Sequence, residues 1–294
     1  MRFHNDCLFC VLRQVLSVSK ILGLSEADTE HAVRDALHFL SEADYEKSTP
    51  EIMGGVWSVL LRYADTDDPY RAAKRACNEA ALDMADGVRA SVAAAADPVD
   101  AALHYAIAGN LIDFAPQHAF SLDTLKTQID ALAQKPFAID DTAALKARLA
   151  RAGTLLYICD NCGEIVFDRI LLEQLRAAYP ALSVRCVVRG APVINDVTRE
   201  DAALVHMQEV AEVLDSGDDS AGTVLSRVSD AMRAAFFAAD VVIAKGQGNF
   251  ESTAGVSKDG LFYLFTVKCA PVSEMTGVPP MSVVCMEAQK APAR

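Results

Sequence analysis

The chain has 294 residues, of which 27 are Lys or Arg and 40 are Asp or Glu, a formal net charge of −13 at neutral pH. A chain this acidic, without a dense Lys/Arg run, repels phosphate backbones and anionic lipid surfaces, which excludes nucleic acid and membranes as partners. Apolar residues make up 52%, yet charges or glycine break every apolar stretch well short of the roughly 20 residues of a membrane span, and the charged N-terminus lacks a signal-peptide core, so a soluble, cytoplasmic protein is expected.

From Cys7 to about Leu149 apolar residues recur at three- and four-residue spacing, which predicts an α-helical domain over residues 1–150. Val11, Val15, Val18 and Leu22 share one helical face, and Gly23 follows as a stop. Ser25 with Asp28 three residues on starts the next helix, and Asp97-Pro98 starts another through Leu103, Ile107 and Leu111. Asp65–Asp68 before Pro69 reads as a solvated loop, since EF-hand spacing is absent, and Trp57 reads as core.

Residues 151–294 change texture. Thr154–Cys159 (TLLYIC) is apolar on both faces, as a buried parallel strand is. An amphipathic helix follows over 164–179, with Ile165, Phe167, Leu171, Leu172 and Leu175 inside. Further strands are predicted at Ser183–Val188, Asp240–Ala244, Leu261–Val267 and Ser282–Met286, with a helix from about Thr198 and a surface loop over Asp215–Gly222. Strand–helix alternation with short connections predicts a Rossmann-like, doubly wound α/β/α sheet.

In such sheets ligands gather beyond the carboxyl ends of the strands. Three successive strand ends carry polar, glycine-bearing clusters: Asp160-Asn161-Cys162-Gly163-Glu164, Arg189-Gly190 leading to Asn195-Asp196, and Lys245-Gly246-Gln247-Gly248-Asn249. Asp160, Asp196 and the amide oxygen of Asn161 are hard oxygen ligands that suit a divalent cation with open positions for water and phosphate. Lys245 supplies a point charge for a phosphoryl group, and the glycine-rich backbone and the helix start at Gly163–Glu164 supply N–H donors. Taken singly, each Asp or Asn reads more often as a helix cap and Lys-Gly as an exposed turn. Their recurrence at three consecutive strand ends favours a metal and phosphate site.

At these residues the sequence resembles a known family. CDNCGEIVFDRILLEQL, VRGAPVINDVTREDA and ADVVIAKGQGNFE are similar to the signature blocks of the damage-control phosphatases (domain of unknown function 89), and DCLFCVLRQ and AIAGNLIDF resemble their mainly prokaryotic branch with an N-terminal C-x-x-C. The resemblance spans about residues 5 to 286. It implies a helical N-terminal region against a Rossmann-like domain, and a metal-dependent phosphatase acting on small phosphorylated metabolites such as sugar phosphates. It assigns Asp160, Asn161 and Asp196 to the metal and Lys245 to the phosphate. Glu164, Arg189 and Asn249 fall in the same blocks and are expected in the substrate cleft, with Asn110 and Asp113 reaching it from the helical domain. Cys162 stands where the family commonly has Ala, a small-for-small change. The implied cofactor is Mn²⁺, Mg²⁺, Co²⁺ or Ni²⁺, and the implied reaction is in-line attack on a phosphomonoester by water or, alternatively, by the Asp160 carboxylate.

The chain has eight cysteines, too few for a disulfide scaffold. Cys7 and Cys10 have the spacing of thiol–metal and redox sites, with Cys269, Cys77 and His4 as candidate further ligands; a thiol metal site of Cys7, Cys10 and Cys269, a redox pair and plain core cysteines all remain open. The histidines form no metal-binding pattern. Two rival functions stand beside the phosphatase. An S-adenosylmethionine-dependent carboxyl methyltransferase would want a glycine-rich turn after the first strand, where this chain has Asp160-Asn161-Cys162-Gly163-Glu164. A non-catalytic metal or sugar-phosphate binder would keep the cleft and show no turnover. No pattern assigns an oligomeric state.

Overall fold

The computed structural model describes residues 1–110 and 122–288; Leu111 and Asp113 lie outside the described residues. The N-terminal helices are α1 (Cys7–Ile21), α2 (Glu26–Glu42), α3 (Thr49–Leu60), α4 (Arg71–Ala94), α5 (Pro98–Ala108) and α6 (Leu122–Ala133). Their ends follow local chemistry. The Ser25 hydroxyl accepts from Asp28 N (3.1 Å) at the start of α2, and the Asp97 carboxylate accepts from Asp100 N (3.0 Å) at the start of α5. No helix among the described residues is long and apolar enough to cross a membrane.

The α/β part runs β1 (Ile139–Asp140), α7 (Thr142–Leu149), β2 (Thr154–Ile158), α8 (Glu164–Ala178), β3 (Ser183–Val188), α9 (Arg199–Leu204), β4 (Glu212–Asp215), α10 (Asp230–Ala238), β5 (Val241–Lys245), α11 (Gly246–Thr253), β6 (Leu261–Thr266), α12 (Ala270–Thr276) and β7 (Val283–Glu287). The sheet order is β1-β7-β6-β5-β2-β3-β4; β7 pairs antiparallel with β6 and parallel with β1, and every other pairing is parallel. From β2 the chain winds outward through β3 to β4, then returns to lay β5 and β6 on the other side. The winding reverses between β2 and β5, which is where a doubly wound sheet opens a crevice.

Strand alternation explains the two-sided apolar runs. In β2, Leu155 and Tyr157 enter the core shared with α4, α5 and α8, while Leu156 and Ile158 enter the core under α10, α11 and α12. A third core holds α1, α2 and α3 around the fully buried Trp57. The N-terminal helices therefore divide between two cores, α4 to α6 merging with the sheet and α1 to α3 forming their own cluster.

The structure departs from the sequence reading at several points. Ile139–Asp140 joins the sheet by pairing with β7, so the sheet begins before residue 151. Glu212–Asp215 is an edge strand paired with β3. The stretch after it is not a surface loop: Ser216, Asp218 and Ser220 are buried. Gly190 packs so closely on it that a Cβ there would lie 2.6 Å from Asp218 N, and Gly190 N–H donates to Ser216 Oγ (3.1 Å). Asp68 is likewise buried, paired with the equally buried Lys74 Nζ (2.9 Å), which also bonds Asp201 (3.0 Å).

Candidate active site

Because β2 and β5 pair in register through Ile158 and Ala244, their carboxyl ends deliver Asp160 and Gly246 to one place. Gly246 has φ +79°, and a Cβ on it would fall 1.9 Å from Asp160 Oδ2. Only glycine lets the first turn of α11 close against that carboxylate. The segment after β3 is stitched to the one after β2: Val197 N donates to Asp160 O (2.9 Å), Cys162 N to Asn195 O (2.9 Å), and Asn161 and Asp196 form an isolated antiparallel bridge. Asp196, distant in sequence, thus stands with the neighbours Asp160 and Asn161.

Both carboxylates are buried. Burial is the main cause that pushes their carboxyls above the usual range; for Asp160 the charge of Asp196 adds to it, and Lys268 and Arg189 pull back. Arg189 Nε donates to Asp196 Oδ2 (2.6 Å) and Nη1 to Asn249 Oδ1 (3.2 Å), while the buried Nη2 has no hydrogen-bond partner among the described residues and lies 3.9 Å from Asp160 Oδ1. Asn249 is fully engaged, donating to Cys159 O (3.1 Å) and Lys245 O (2.6 Å) and accepting from Thr223 Oγ1 (2.8 Å) as well as Arg189. Its place is behind the cleft, fixing the guanidinium and tying β2 to β5.

The donor set fits a hard divalent cation. Two adjacent buried carboxylates disfavour each other's charge and would be relieved by a cation, and Asn161 turns its nitrogen to Asp160 Oδ2 (3.1 Å), leaving its oxygen free of protein donors among the described residues. Among the described residues no three His, Cys, Asp or Glu side chains stand in metal-holding geometry; the set here has two carboxylates and an amide.

Lys245 lies deeper than a strand-end lysine is expected to. It is buried, and its ammonium donates to Asp168 Oδ1 (2.6 Å), Ala106 O (2.7 Å) and Glu164 Oε1 (3.0 Å). Glu164 Oε2 accepts from Asn110 Nδ2 (2.9 Å), so Asn110 does reach the cleft wall from the helical part. Asp168 and Tyr157, whose hydroxyl also donates to Asp168 Oδ1 (2.6 Å), complete a buried network that the sequence reading missed. Its signal was present: Asp168 sits one turn after Glu164, amid the apolar residues of α8. Gly163, at φ +84°, starts that helix with its N–H on Asn78 Oδ1 (2.6 Å).

Cys7 and Cys269 lie near enough for the charge of Cys7 to act on Cys269, with Cys10 acting on Cys7 and Glu251 on both. Thr49 Oγ1 donates to Cys7 Sγ (3.5 Å), and Gln247 Nε2 donates to both Cys269 Sγ (3.4 Å) and Glu251 Oε1 (2.7 Å). Cys10 is exposed and Cys77 belongs to the α4 core. Larger cavities lie elsewhere, 680 Å³ between α4 and α9 and 530 Å³ beside β7 and α12, but neither contains the carboxylates and glycine turn that meet at the β2/β5 crevice.

Comparison with known proteins agrees with this architecture. The profile of the damage-control phosphatase ARMT1-like domain matches residues 3–284. A damage-control phosphatase of Pyrococcus horikoshii is 31% identical over 287 residues, covering 97% of this chain and 98% of that protein. A damage-control phosphatase of Archaeoglobus fulgidus is 29% identical over 281 residues (95% and 96%), and an uncharacterized protein of Methanocaldococcus jannaschii is 31% identical over 294 residues (95% of each). The crystal structure of a DUF89 family protein from Pyrococcus horikoshii, at 2.04 Å, matches with a TM-score of 0.91 and 29% identity, covering 98% of this chain and 100% of that one. A glycine turn closing on two juxtaposed carboxylates at the switch point, together with a family match across nearly the whole chain, places this protein in the damage-control phosphatase ARMT1-like family.

Proposed function

We propose that this chain is a divalent-metal-dependent phosphatase that hydrolyses phosphomonoesters of small metabolites such as sugar phosphates. The observation that carries the reading is the juxtaposition of Asp160, Asn161 and Asp196 against Gly246 at the β2/β5 crevice. These three residues would hold the cation, and Mg²⁺, Mn²⁺, Co²⁺ and Ni²⁺ all suit their oxygens. When bound, such an ion supplies charge neutralisation to the phosphoryl oxygens.

The chain's own residues do the rest. Arg189 holds the Asp196 carboxylate in place, and Asn249 holds Arg189. The first turn of α11, beside Asp160, offers backbone N–H groups that have no intrahelical acceptor. In the hydrolysis a P–O bond forms from water, the ester P–O bond breaks, and the proton of water ends on the leaving oxygen. The alternative attack on phosphorus by a carboxylate falls to Asp160, which stands against the α11 turn. Glu164, with Asn110 and Lys245 on it, forms the wall of the cleft.

The test is a panel of phosphorylated metabolites and p-nitrophenyl phosphate assayed with each divalent ion. Asp160→Ala and Asp196→Ala are expected to lose turnover by about a hundredfold or more, as removal of charge-stabilising groups does. Full divalent-dependent turnover by both variants would refute the assignment.

A further inference from the structure

The loop that delivers Asp196 carries backbone strain. Asp196 N–H donates to Val193 O (3.0 Å), so Val193-Ile194-Asn195-Asp196 is a closed four-residue turn that ends on the carboxylate assigned to the cation. Ile194, the first central residue, has φ +47°. Turns with positive φ at that position take Gly, Asn or Asp. Among the described residues Ile194, His206 and Met281 are the non-glycine residues with positive φ, and Ile194 alone is β-branched, the type least suited to it. The strain has a geometric result. Asn195 O accepts from Cys162 N (2.9 Å), and Asp196 bridges to Asn161. Returning Ile194 to negative φ would rotate the peptide planes that follow and pull both links off the β2 end.

The restraint comes from the far end of the chain. Val193 is fully buried in the core of α1, α2 and α3, not in either core of the sheet, and Ile194 packs half-buried against the same core. The carbonyl of Pro192, one residue earlier, accepts from Trp57 Nε1 (3.0 Å), and Trp57 is fully buried on α3. The pyrrolidine ring fixes φ of Pro192, the indole fixes its carbonyl, and the helical core fixes the side chain that follows. On the far side of the turn Arg189 Nε holds Asp196 Oδ2 (2.6 Å). Backbone strain persists only where the surroundings over-determine it, and this turn is clamped between the helical core and the β2 end.

We propose that Trp57 is a positioning residue for the metal site: through the Pro192 carbonyl it keeps the turn at Ile194 in its strained form and so sets where Asp196 meets the cation. This rests on the reading that Asp160, Asn161 and Asp196 hold a divalent ion, and the test lets the two fail separately. Mn²⁺ is titrated calorimetrically into the metal-free full-length protein, with thermal melts and phosphomonoester kinetics alongside. Trp57→Phe keeps an aromatic ring and removes the N–H. Its Mn²⁺ Kd is expected to rise about tenfold, as loss of a group that orients a ligand does, and saturating Mn²⁺ should recover most of kcat.

Glycine adopts positive φ without steric cost, so in an Ile194→Gly protein there is no strain for Trp57 to hold. Adding Trp57→Phe to that variant should raise its Kd by less than about threefold. Leu40→Ala, in the same core on α2, should lower the melting temperature and leave the Kd within twofold of wild type. Val193→Ala loosens the same turn without altering Trp57 and should weaken Mn²⁺ binding in the same direction, which keeps the test open if Trp57→Phe folds poorly. A Kd within twofold of wild type in both Trp57→Phe and Val193→Ala overturns the proposal. So does an equal rise in Leu40→Ala, which would mean general loosening, or an undiminished effect of Trp57→Phe beside Ile194→Gly. If the wild type binds Mn²⁺ but hydrolyses no phosphomonoester, the enzymatic reading falls and the titrations still decide Trp57. If it binds no divalent ion, both fall.

Discussion

Gly246→Ala is the sharpest probe of the site, because one methyl group strikes the carboxylate on which the proposed chemistry depends. The added Cβ would lie 1.9 Å from Asp160 Oδ2 and 2.1 Å from its Cγ, against ordinary contacts that begin at 3.4 Å, so the carboxylate must retreat by about 1.5 Å. The backbone adds strain, since φ +79° costs an L-residue about 1–2 kcal/mol. A displacement of about 1 Å at a reacting group can cost on the order of a hundredfold in rate. The variant is therefore expected to lose about a hundredfold or more in kcat/KM, and its melting temperature should fall by only several degrees, at about 2–4 °C per kcal/mol for a chain of this size. Gly255→Ala separates the two effects. Gly255 has φ +91° with nothing within 4 Å of a Cβ, so it carries the strain without the collision. It should lose comparable stability and keep its activity. Steady-state kinetics and thermal melts on both variants decide the matter. A Gly246→Ala enzyme with kcat/KM within about threefold of wild type would show that Asp160 need not stand where α11 holds it.

Other consequences are accessible to simple measurements. Chelation with EDTA should abolish phosphatase activity and lower the melting temperature, with both restored by excess Mn²⁺ or Mg²⁺; activity that survives exhaustive chelation would remove the cation from the proposed mechanism. Lys74→Met leaves the buried Asp68 and Asp201 carboxylates without their shared cation and should cost about 3–5 kcal/mol in urea unfolding; a loss under 1 kcal/mol would mean that water or a neighbour already satisfies them. Burial pushes the Asp168 carboxyl up to about 7 against the pull of Lys245. Because this folded value lies above the unfolded one of 3.8, the stability linked to the group is full below about pH 4 and is lost as pH rises through about 7. Wild type should therefore lose stability relative to Asp168→Asn across that window, and parallel pH profiles for the two proteins would contradict the assignment.

What the sequence discloses depends on how much of an element's environment its own residues encode. Thr154–Ile158 and Val241–Lys245 are central strands apolar on both faces, so a short unbroken run identifies them without a partner in view. Glu212–Asp215 is an edge strand whose residues are exposed or half-buried, and Ile139–Asp140 is two residues long; each is a strand only because a neighbour pairs with it. The loop over Asp215–Gly222 is polar in composition, but the close approach of Gly190 buries it, and nothing local announces that contact. Asp68 misleads in the same way, since its partner Lys74 is near in sequence but its second neighbour, Asp201, belongs to the α/β part.

The site follows the same rule one level up. Asp160, Asn161 and Asp196 are legible because a doubly wound sheet brings its strand ends together whatever lies between them, and the bridge from Asn161 to Asp196 is that convergence made physical. The lysines are not legible in this way. Position after a strand marks Lys245 as a phosphate ligand, but position cannot report whether its donors are free, and that is decided by Glu164 and Asp168 standing one turn apart on α8. Lys268, in a segment without a motif, carries no signal of its own and acquires its position only when Gln247 accepts its N–H. A strand end therefore states where charge will be placed, and the helix facing it states whether that charge remains available.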